Sequence, residues 1–502
     1  MSNRIKKANG ITLIALVVTI VILVILGTIS LNLLFNKNGI IKQAQLAKEI
    51  QTNAEAREKE QLGSMDEEVN KIISNIVANA PDISELNKSN TYYVTWDLKS
   101  SPYEIQETNN LTQQQPSDWY DYTKGINKWA NIKTTGGGND CYWVWIPRYA
   151  YRITDGYHSN IAGTVDIKFL KGTTNTPIDG SSITISNSSG SGNWNVHPAF
   201  WFDKNNNGVE DEGEQLTGIW VAKFEASSNS TDVVENPTVE QLATDGGGNT
   251  ADLKVRVKPN VTSWRKINAN NIFTVCQNLT TTGNSLESTN NLDSHMIKNT
   301  EWGAVAYLSR SAYGKNGEVW NNPYYNNTTN QSPIAGLCGK ATNARDLSTT
   351  NLNDTCKYNE IGGENASTTG NVYGIYDMAG GAWEYVAGIY IGETSNDNSS
   401  KLWDSNNSKY VDKYINTTGS RSTYYGNTDK YGDAVYETSS SGASPYDSWD
   451  SCHSYFPISS RPVFGRGGRA YLKESAGVFA FGADTGDGYI HLGFRPCLIN
   501  LD

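Results

Sequence analysis

The sequence predicts an α+β protein in which an N-terminal helix and a helical stalk precede a loop-rich domain of mixed strands and helices. The first 80 residues contain one long apolar run followed by an amphipathic repeat. The remainder alternates short aromatic and β-branched segments with tracts of Asn, Ser, Thr and Gly. Only 19% of the residues are charged, but 28 Tyr and 14 Trp supply the apolar area that a packed core needs.

The charge balance argues against a nucleic-acid partner. The chain carries 52 acidic and 41 basic side chains, a net charge of −11, whereas phosphate recognition needs a basic surface. Its six Cys have no dense spacing pattern, which excludes a disulfide scaffold and a CxxC zinc ribbon.

The N-terminus predicts a single-pass membrane anchor. From Ile11 to Phe35 the chain has 25 residues without a formal charge. A helix of that length is about 37 Å long, and the hydrocarbon core of a bilayer is about 30 Å thick. Arg4, Lys6 and Lys7 precede the run, so the positive-inside rule places the C-terminal domain outside the cell.

The basic leader 1–10, ending in KKANG, and the following ITLIALVVTIVIL resemble the type IV prepilin signal. The resemblance implies cleavage after Gly10, with Ile11 as the new N-terminus, and a transmembrane pilin-like helix over 11–35. Pilins usually carry Glu at the fifth mature position, where this chain has Ala15. This difference favours a membrane-held, pilin-like surface protein over a subunit of a polymerising pilus. An uncleaved signal anchor remains the alternative.

Residues 36–80 are predicted to form an amphipathic stalk helix that ends at Pro81. Ile40, Ala44 and Ala47 recur at three- and four-residue spacing with polar residues between them. A solvated connector without a special role is the alternative interpretation.

The rest of the chain is predicted to contain a joining module, 81–140, and a larger domain, 141–502. CYWVWIPRYAYRI (141–153) and GIWVAKFEAS (218–227) have the aromatic and β-branched content of buried strands. HMIKNTEWGAVAYLSRSAYG (295–314) combines a helical stretch with a loop.

Three segments together resemble the formylglycine-generating, or sulfatase-modifying, variant of the C-type lectin fold. They are GIWVAKFEAS, GNVYGIYDMAGGAWEYV (370–386), and GRGG (465–468) with the closing GFRPCL (493–498). In the middle segment, Asp377 and Gly380 are typical of a tight turn and Glu384 is a candidate for a buried, paired carboxylate. Tyr376 and Trp383 are expected to add apolar area to the core.

The resemblance does not extend to the enzyme's active site. The formylglycine-generating enzymes use a pair of Cys residues shortly after the Gly-Gly motif, but here 469–475 contains no Cys. The sequence therefore predicts a protein without catalytic residues, with the oxidase as an alternative.

The last segment, RGGRAYLKESAGVFAFGADTGDGYIHLGFRPCL (466–498), resembles the variable region of a diversity-generating retroelement target protein. In such proteins a reverse transcriptase rewrites adenine positions at the 3′ end of the gene between constant frames. The frames here are RGG, AGVFAF and GFRP. The resemblance implies that the residues between them bind ligand: Arg469, Tyr471, Leu472, Ser475, Asp484, Thr485, Asp487, Tyr489, Ile490 and His491.

The residues between the frames also fit a binding surface on physical grounds. Tyr471, Leu472, Tyr489 and Ile490 are large apolar side chains in loops where solvation favours polar residues. Exposed aromatics beside Arg, Asp and His are typical of binding loops. The alternative is an ordinary loop whose aromatics pack under the sheet.

One further motif predicts a calcium loop. The segment DKNNNGVEDEGE (203–214) has the spacing D-x-[DN]-x-[DN]-G-x5-E. Its expected calcium ligands are Asp203, Asn205, Asn207, the Val209 carbonyl, Asp211 and Glu214. Without flanking helical patterns, a solvated acidic turn remains the alternative.

Together these features predict a bacterial cell-surface protein that binds an unidentified macromolecular or cell-surface ligand. The structural alternative is a minor pilin or pseudopilin that caps or decorates a filament.

Overall fold

The computed structural model describes residues 13–32, 80–229, 254–281, 284, 286, 291–325, 333–340, 348–392, 397–415, 430–440 and 445–501. The chain divides into two compact units, Met1–Asn75 and Ile76–Asp502. The fold is α+β, as predicted, and consists mostly of sheets with few helices.

The first unit contains helix α1, Leu13–Asn32, which confirms the predicted helix over those residues. Among the residues that the structure describes, no helix is both long enough and apolar enough to cross a membrane. Gly10 and Ile11, the rest of the leader, and the predicted stalk up to residue 79 lie outside the described residues.

The second unit contains the remaining elements. The helices are α2 (Ala269–Gln277), α3 (Asn299–Ser309) and α4 (Ser400–Trp403). The strands are β1 (Thr91–Asp97), β2 (Glu104–Gln106), β3 (Asn131–Gly136), β4 (Asn139–Pro147), β5 (Tyr149–Ile153), β6 (Val165–Phe169), β7 (Asn195–Val196), β8 (Gly218–Ala222), β9 (Ser227–Ser228), β10 (Val255–Arg256), β11 (Leu292–Met296), β12 (Leu337–Gly339), β13 (Thr355–Lys357), β14 (Trp383–Tyr390), β15 (Asp412–Tyr414), β16 (Val463–Arg466), β17 (Phe481–Asp484), β18 (Leu492–Phe494) and β19 (Pro496–Asn500).

The largest sheet has seven strands in the order β11-β19-β8-β4-β3-β1-β2. The strands predicted in 141–153 are confirmed as β4 and β5, and the strand predicted over 218–227 is confirmed only over 218–222, as β8. Trp145 and Trp220 are partners across β4 and β8, and their buried rings lie 5.1 Å apart. The segment predicted as a joining module, 81–140, contributes β1, β2 and β3 to this same sheet.

A five-stranded sheet carries the C-terminal motifs. β14 pairs in parallel with β15 and β18 and antiparallel with β16, which pairs antiparallel with β17. Gly465 and Gly482 face each other across β16 and β17. Of the AGVFAF segment only Phe481 lies in a strand, because 476–480 turns back through a bond from Ala480 N–H to the Gly477 carbonyl.

The predictions for the 370–386 motif are largely confirmed. Asp377 has φ +62° and Gly380 has φ +75°, as a tight turn requires. Tyr376 and Glu384 are fully buried. Trp383 differs from the prediction, because it is only half-buried and borders the surface.

Candidate ligand-binding face

The three frames of the C-terminal region are buried. Every residue of RGG (466–468), AGVFAF (476–481) and GFRP (493–496) is buried. Each predicted ligand-binding residue between them is exposed or half-buried, with Tyr471 at 59% and Tyr489 at 39% exposure. Burial therefore changes at 468/469 and at 475/476, whereas Gly482 and Leu492 are buried like the frames beside them.

Two buried arginines give the frames their structural role. The Arg466 guanidinium donates to Asn299 Oδ1 at 2.8 Å and to the main-chain carbonyls of Asp433 at 3.0 Å and Ala434 at 3.1 Å. The Arg495 guanidinium bonds both carboxylate oxygens of Glu384 and the carbonyl of Ala222 at 2.9 Å. Removing either arginine would leave buried polar groups without partners, which is costly.

The 469–475 loop follows β16 and presents an aromatic and a cation together. The Arg469 guanidinium lies over the Tyr471 ring, 5.3 Å from its centroid. The ring of Tyr325 lies 6.2 Å from that of Tyr471. Leu472 and Ser475 are half-buried in the same loop.

The 484–491 loop follows β17 and presents a stacked pair of rings. Tyr489 and His491 lie 5.5 Å apart with an interplanar angle of 10°. The Asp487 carboxylate accepts the Thr485 hydroxyl at 2.7 Å and the Tyr489 hydroxyl at 3.3 Å. Asp484 accepts the Thr485 N–H at 2.7 Å, and Ile490 is half-buried.

The charge of Arg469 in one loop acts on His491 in the other. Burial, followed by the positive charges of Arg469 and Arg265, lowers the pKa of His491 to about 4. Its imidazole is therefore neutral at pH 7, and Arg469 from the other loop is close enough to affect it. His491 therefore lies within electrostatic range of the 469–475 loop.

Groups outside the predicted positions hold both loops by their main chains. In the 469–475 loop, Asn321 Nδ2 donates to the Lys473 carbonyl at 2.6 Å and His453 N–H donates to the Ser475 carbonyl at 2.9 Å. In the 484–491 loop, five main-chain carbonyls accept hydrogen bonds. Three of the donors are main-chain N–H groups: Ala269 to Gly486, Lys266 to Tyr489, and Trp383 to His491. The other two are side chains: the Tyr385 hydroxyl to Asp487 and the Arg265 guanidinium to Ile490. Main-chain carbonyls occur at every residue, so these bonds do not depend on side-chain identity.

Sequence reasoning missed an aromatic cluster beside these loops. Trp383 lies against the two facing glycines: a Cβ on Gly482 would be 3.2 Å from the indole, and one on Gly465 would be 3.5 Å from it. The His453 ring packs edge-on against Trp383 at 5.4 Å and against Tyr455 at 4.5 Å. The sequence signal for this cluster is the pair of glycines, Gly465 and Gly482, because a glycine inside a strand leaves room for a neighbouring ring.

The acidic loop forms a compact hydrogen-bonded turn. Asp203 accepts the N–H groups of Asn207 at 2.9 Å and Gly208 at 2.7 Å. Asp211 accepts both side-chain amides, from Asn205 and Asn207, at 2.8 Å. The remaining predicted ligand residues are Val209, whose N–H bonds to Asn207, and the buried Glu214, which accepts the Asp211 N–H.

The oxygen-bearing side chains that a calcium ion prefers therefore meet in one loop, closed at its base by a bridge between Trp201 and Gln215. Hydrogen bonds from Asn205 and Asn207 lower the pKa of Asp211, so the carboxylate is ionised at neutral pH. These donor types are the ones that calcium prefers, and as arranged their oxygens accept hydrogen bonds within the loop.

A second cluster of potential metal ligands contains His295, Glu301 and Cys497, all buried. Both imidazole nitrogens are already bonded, Nδ1 to Asp293 at 2.7 Å and Nε2 to Glu301 at 2.9 Å. Burial lowers the pKa of His295, but the charge of Glu301 and the bonds to Asp293, Cys497 and Glu301 raise it well above 6.5 overall. As arranged, the cluster is an ion-paired histidine rather than a metal centre.

Two thiols that are separate in sequence lie together in the fold. Cys338 and Cys356 are partners across β12 and β13, and Cys356 Sγ lies 3.6 Å from the Cys338 carbonyl oxygen. All six Cys are buried, and none lies in the 469–475 loop.

Comparison with known proteins gives no identification: no protein-family model matches the chain, and no curated protein matches it. The three resemblances, to the type IV prepilin signal, to the formylglycine-generating variant of the C-type lectin fold and to retroelement variable regions, depend on the quoted motifs alone.

Proposed function

We propose that this protein is a bacterial cell-surface receptor whose 469–475 and 484–491 loops form a diversified ligand-binding face. The observation that carries the proposal is a contrast in burial: every frame residue is buried, and each of the ten predicted ligand-binding residues is exposed or half-buried. If only the codons of accessible residues are rewritten, the ligand specificity of the protein can change while its core packing stays the same.

The proposed mechanism is recognition without turnover. Main-chain bonds hold the two loops, and the side chains of Arg469, Tyr471, Tyr489 and His491 provide charge and ring surface for contact. The half-buried Trp383 supplies a constant aromatic surface beside them. The ligand is a macromolecule or a cell-surface component, and the acidic surface of the chain argues against nucleic acid.

Presentation at the cell surface is the second part of the proposal. The 11–35 run, as a pilin-like segment, would hold the protein in the cell membrane with its C-terminal domain outside. The described apolar side chains of α1 support this, because Leu13 is 77% and Leu23 is 62% exposed, which is unfavourable in water. Pilin-like assembly is compatible with this segment, and a bound calcium ion would stabilise the 203–214 loop.

The proposal is tested first by deep sequencing the 3′ end of the gene and its flanking DNA in many cells of the source population. We expect substitutions concentrated in codons 469–492, with the AGVFAF and GFRP codons spared and a nearby adenine-bearing template beside a reverse transcriptase. Invariance of codons 469–492 would overturn diversification.

A display experiment tests the binding function directly. Two libraries of the full chain are selected against one unrelated purified protein. One randomises the ten predicted ligand-binding positions; the other randomises exposed positions elsewhere, including Leu98, Ile126, Ile161, Leu352 and Ile361. We expect binders from the first library only. Equal yields from both would show that the loops have no special capacity for recognition.

A further inference from the structure

A separate cavity of about 770 Å³ opens on the second unit, away from the C-terminal loops. Its walls come from the segment after β7, from the 203–214 loop, from the start of α3 and from residues 408–413. None of its lining residues belongs to 466–498, so it is distinct from the proposed receptor face. This volume is within the range of small-molecule sites.

The cavity is more positive than the protein around it. Its lining includes five basic side chains against three acidic ones, in a chain whose net charge is −11. The basic residues are Arg148, Lys298, Lys409, Lys413 and Lys430, and the acidic ones are Asp203, Glu210 and Asp412. A positive excess in a concave site favours an anionic ligand.

Two of the five basic side chains already interact with other groups of the protein. The buried Arg148 guanidinium donates to the carbonyls of Thr174 and Phe200 and to Asn175 Oδ1. The Lys298 ammonium lies 3.7 Å from the Glu301 carboxylate.

The other three cations make no ion pair with any residue that the structure describes. The Lys409 ammonium lies over the rings of Tyr410, at 5.2 Å, and Phe202, at 5.5 Å. The Lys413 ammonium donates to the Ser408 hydroxyl at 2.6 Å, and the Lys430 ammonium lies over the Tyr414 ring. These lysines can therefore bind an anion without first breaking a salt bridge.

The rest of the lining is suited to a hydroxylated ring. Trp201 and Tyr431 are half-buried, which leaves part of each aromatic surface accessible from the cavity. The side chains of Asn187 and Thr300 add amide and hydroxyl groups, which can bond sugar hydroxyls. Ring surface, hydroxyl partners and lysines without an ion pair among the described residues occur together.

We propose that this cavity is a second binding site, for an acidic saccharide whose carboxylate is bound by Lys409 and Lys413. The site does not depend on the diversified face. It would give every variant of the protein one constant ligand class in addition to a changeable one.

The test is isothermal titration calorimetry of the detergent-solubilised full chain, at constant calcium concentration. The probes are trigalacturonate, neutral maltotriose and inorganic phosphate. We expect trigalacturonate to bind, and the Lys409→Ala, Lys413→Ala double variant to bind it about tenfold more weakly, the effect of losing a charge-assisted bond. Lys99→Ala, which removes an exposed lysine outside the cavity, is the matched control and should leave binding unchanged.

Several results would overturn the inference. One is failure of trigalacturonate to bind, and another is equal binding to the double variant. Equally tight binding of maltotriose or phosphate would exclude an acidic saccharide as the specific ligand. If the double variant does not fold, the single variants Lys409→Ala and Lys413→Ala replace it. Substitution of Tyr471 and Tyr489 should not affect this binding, which separates the site from the proposed receptor face.

Discussion

The Arg495 guanidinium and the Glu384 carboxylate form a fully buried, two-point ion pair that links the GFRP frame to the 370–386 motif. Burial raises the pKa of Glu384 to about 7, and the charge and hydrogen bonds of Arg495 oppose this rise. Two motifs more than a hundred residues apart in sequence therefore depend on each other.

Breaking this pair should destabilise the protein strongly. Arg495→Met leaves the Glu384 carboxylate buried without its partner, and we expect a loss of about 3–5 kcal/mol in unfolding free energy. Urea unfolding followed by tryptophan fluorescence measures it. The matched control is Arg461→Met, because Arg461 is exposed; a similar loss in both variants would contradict a special role for Arg495.

Aromatic substitutions in the loops should cost less unfolding free energy than an aromatic substitution in a frame. Tyr471→Ser and Tyr489→Ser remove accessible rings, so each should change the unfolding free energy by less than about 1 kcal/mol. Phe479→Ala, in the buried AGVFAF frame, should cost about 3–5 kcal/mol. Thermal unfolding of the three variants gives the comparison, and large losses from both Tyr substitutions would mean that these rings support the core.

Calcium should stabilise the protein through the 203–214 loop. At a calcium concentration of about 100 Kd, binding to the folded state alone adds about 2.7 kcal/mol. We expect the thermal midpoint to fall with EDTA and to recover with calcium. Asp203→Asn should abolish this response, while Asp179→Asn, in another acidic turn, should retain it. A calcium response that persists in Asp203→Asn would place the ion elsewhere.

The buried ion pair around His295 should make stability depend on pH. Its folded pKa is raised above 6.5, so its contribution is complete below pH 6.5 and is lost as the pH rises through the raised value. Glu301 has a pKa lowered from 4.5 to about 2: burial opposes the shift, and the charges of His295 and Lys298 and bonds to both outweigh it. Its contribution is therefore lost as the pH falls through about 2.

The difference in thermal midpoint between the wild type and His295→Gln should accordingly be largest between about pH 4.5 and 6.5 and should decrease toward pH 9. His158→Gln, at a partly exposed histidine, is the control. A difference that grows above pH 7 would indicate that His295 is buried in its neutral form.

Cys338 and Cys356 should form a disulfide in an oxidising environment, because facing residues of paired strands bring their side chains close together. With diamide as oxidant, each thiol loses one hydrogen and diamide is reduced to its hydrazine. We expect the mass to fall by two hydrogens and one cross-linked peptide to contain both residues. Cys276, on α2, should remain alkylatable after unfolding.

The sequence predicted those parts of the fold that depend on local pattern. The α1 helix follows from an uninterrupted apolar run, and the strands around Trp145 and Trp220 follow from aromatic and β-branched content that is visible within one segment. The membership of 81–140 in the main sheet depends on pairing between β1 and β3, which the pattern of either segment alone does not specify.

The candidate sites also differ in whether they could be predicted from local sequence. The frames and intervening loops are contiguous in sequence, and their burial follows the motif. The position of Trp383 beside Gly482 and the lysine-lined cavity combine residues from distant segments, so only tertiary contacts reveal them. The facing pair of Cys338 and Cys356 is another such case.

The main-chain anchoring of the 469–475 and 484–491 loops has an evolutionary consequence. Carbonyl groups take part in these bonds whatever residue is encoded, so under the proposed diversification a variant could present a new recognition surface and keep the same loop anchoring. Natural selection on such a protein would then act almost entirely on what is bound. Lineages could differ completely in antigenicity and tropism and still have nearly the same melting temperature.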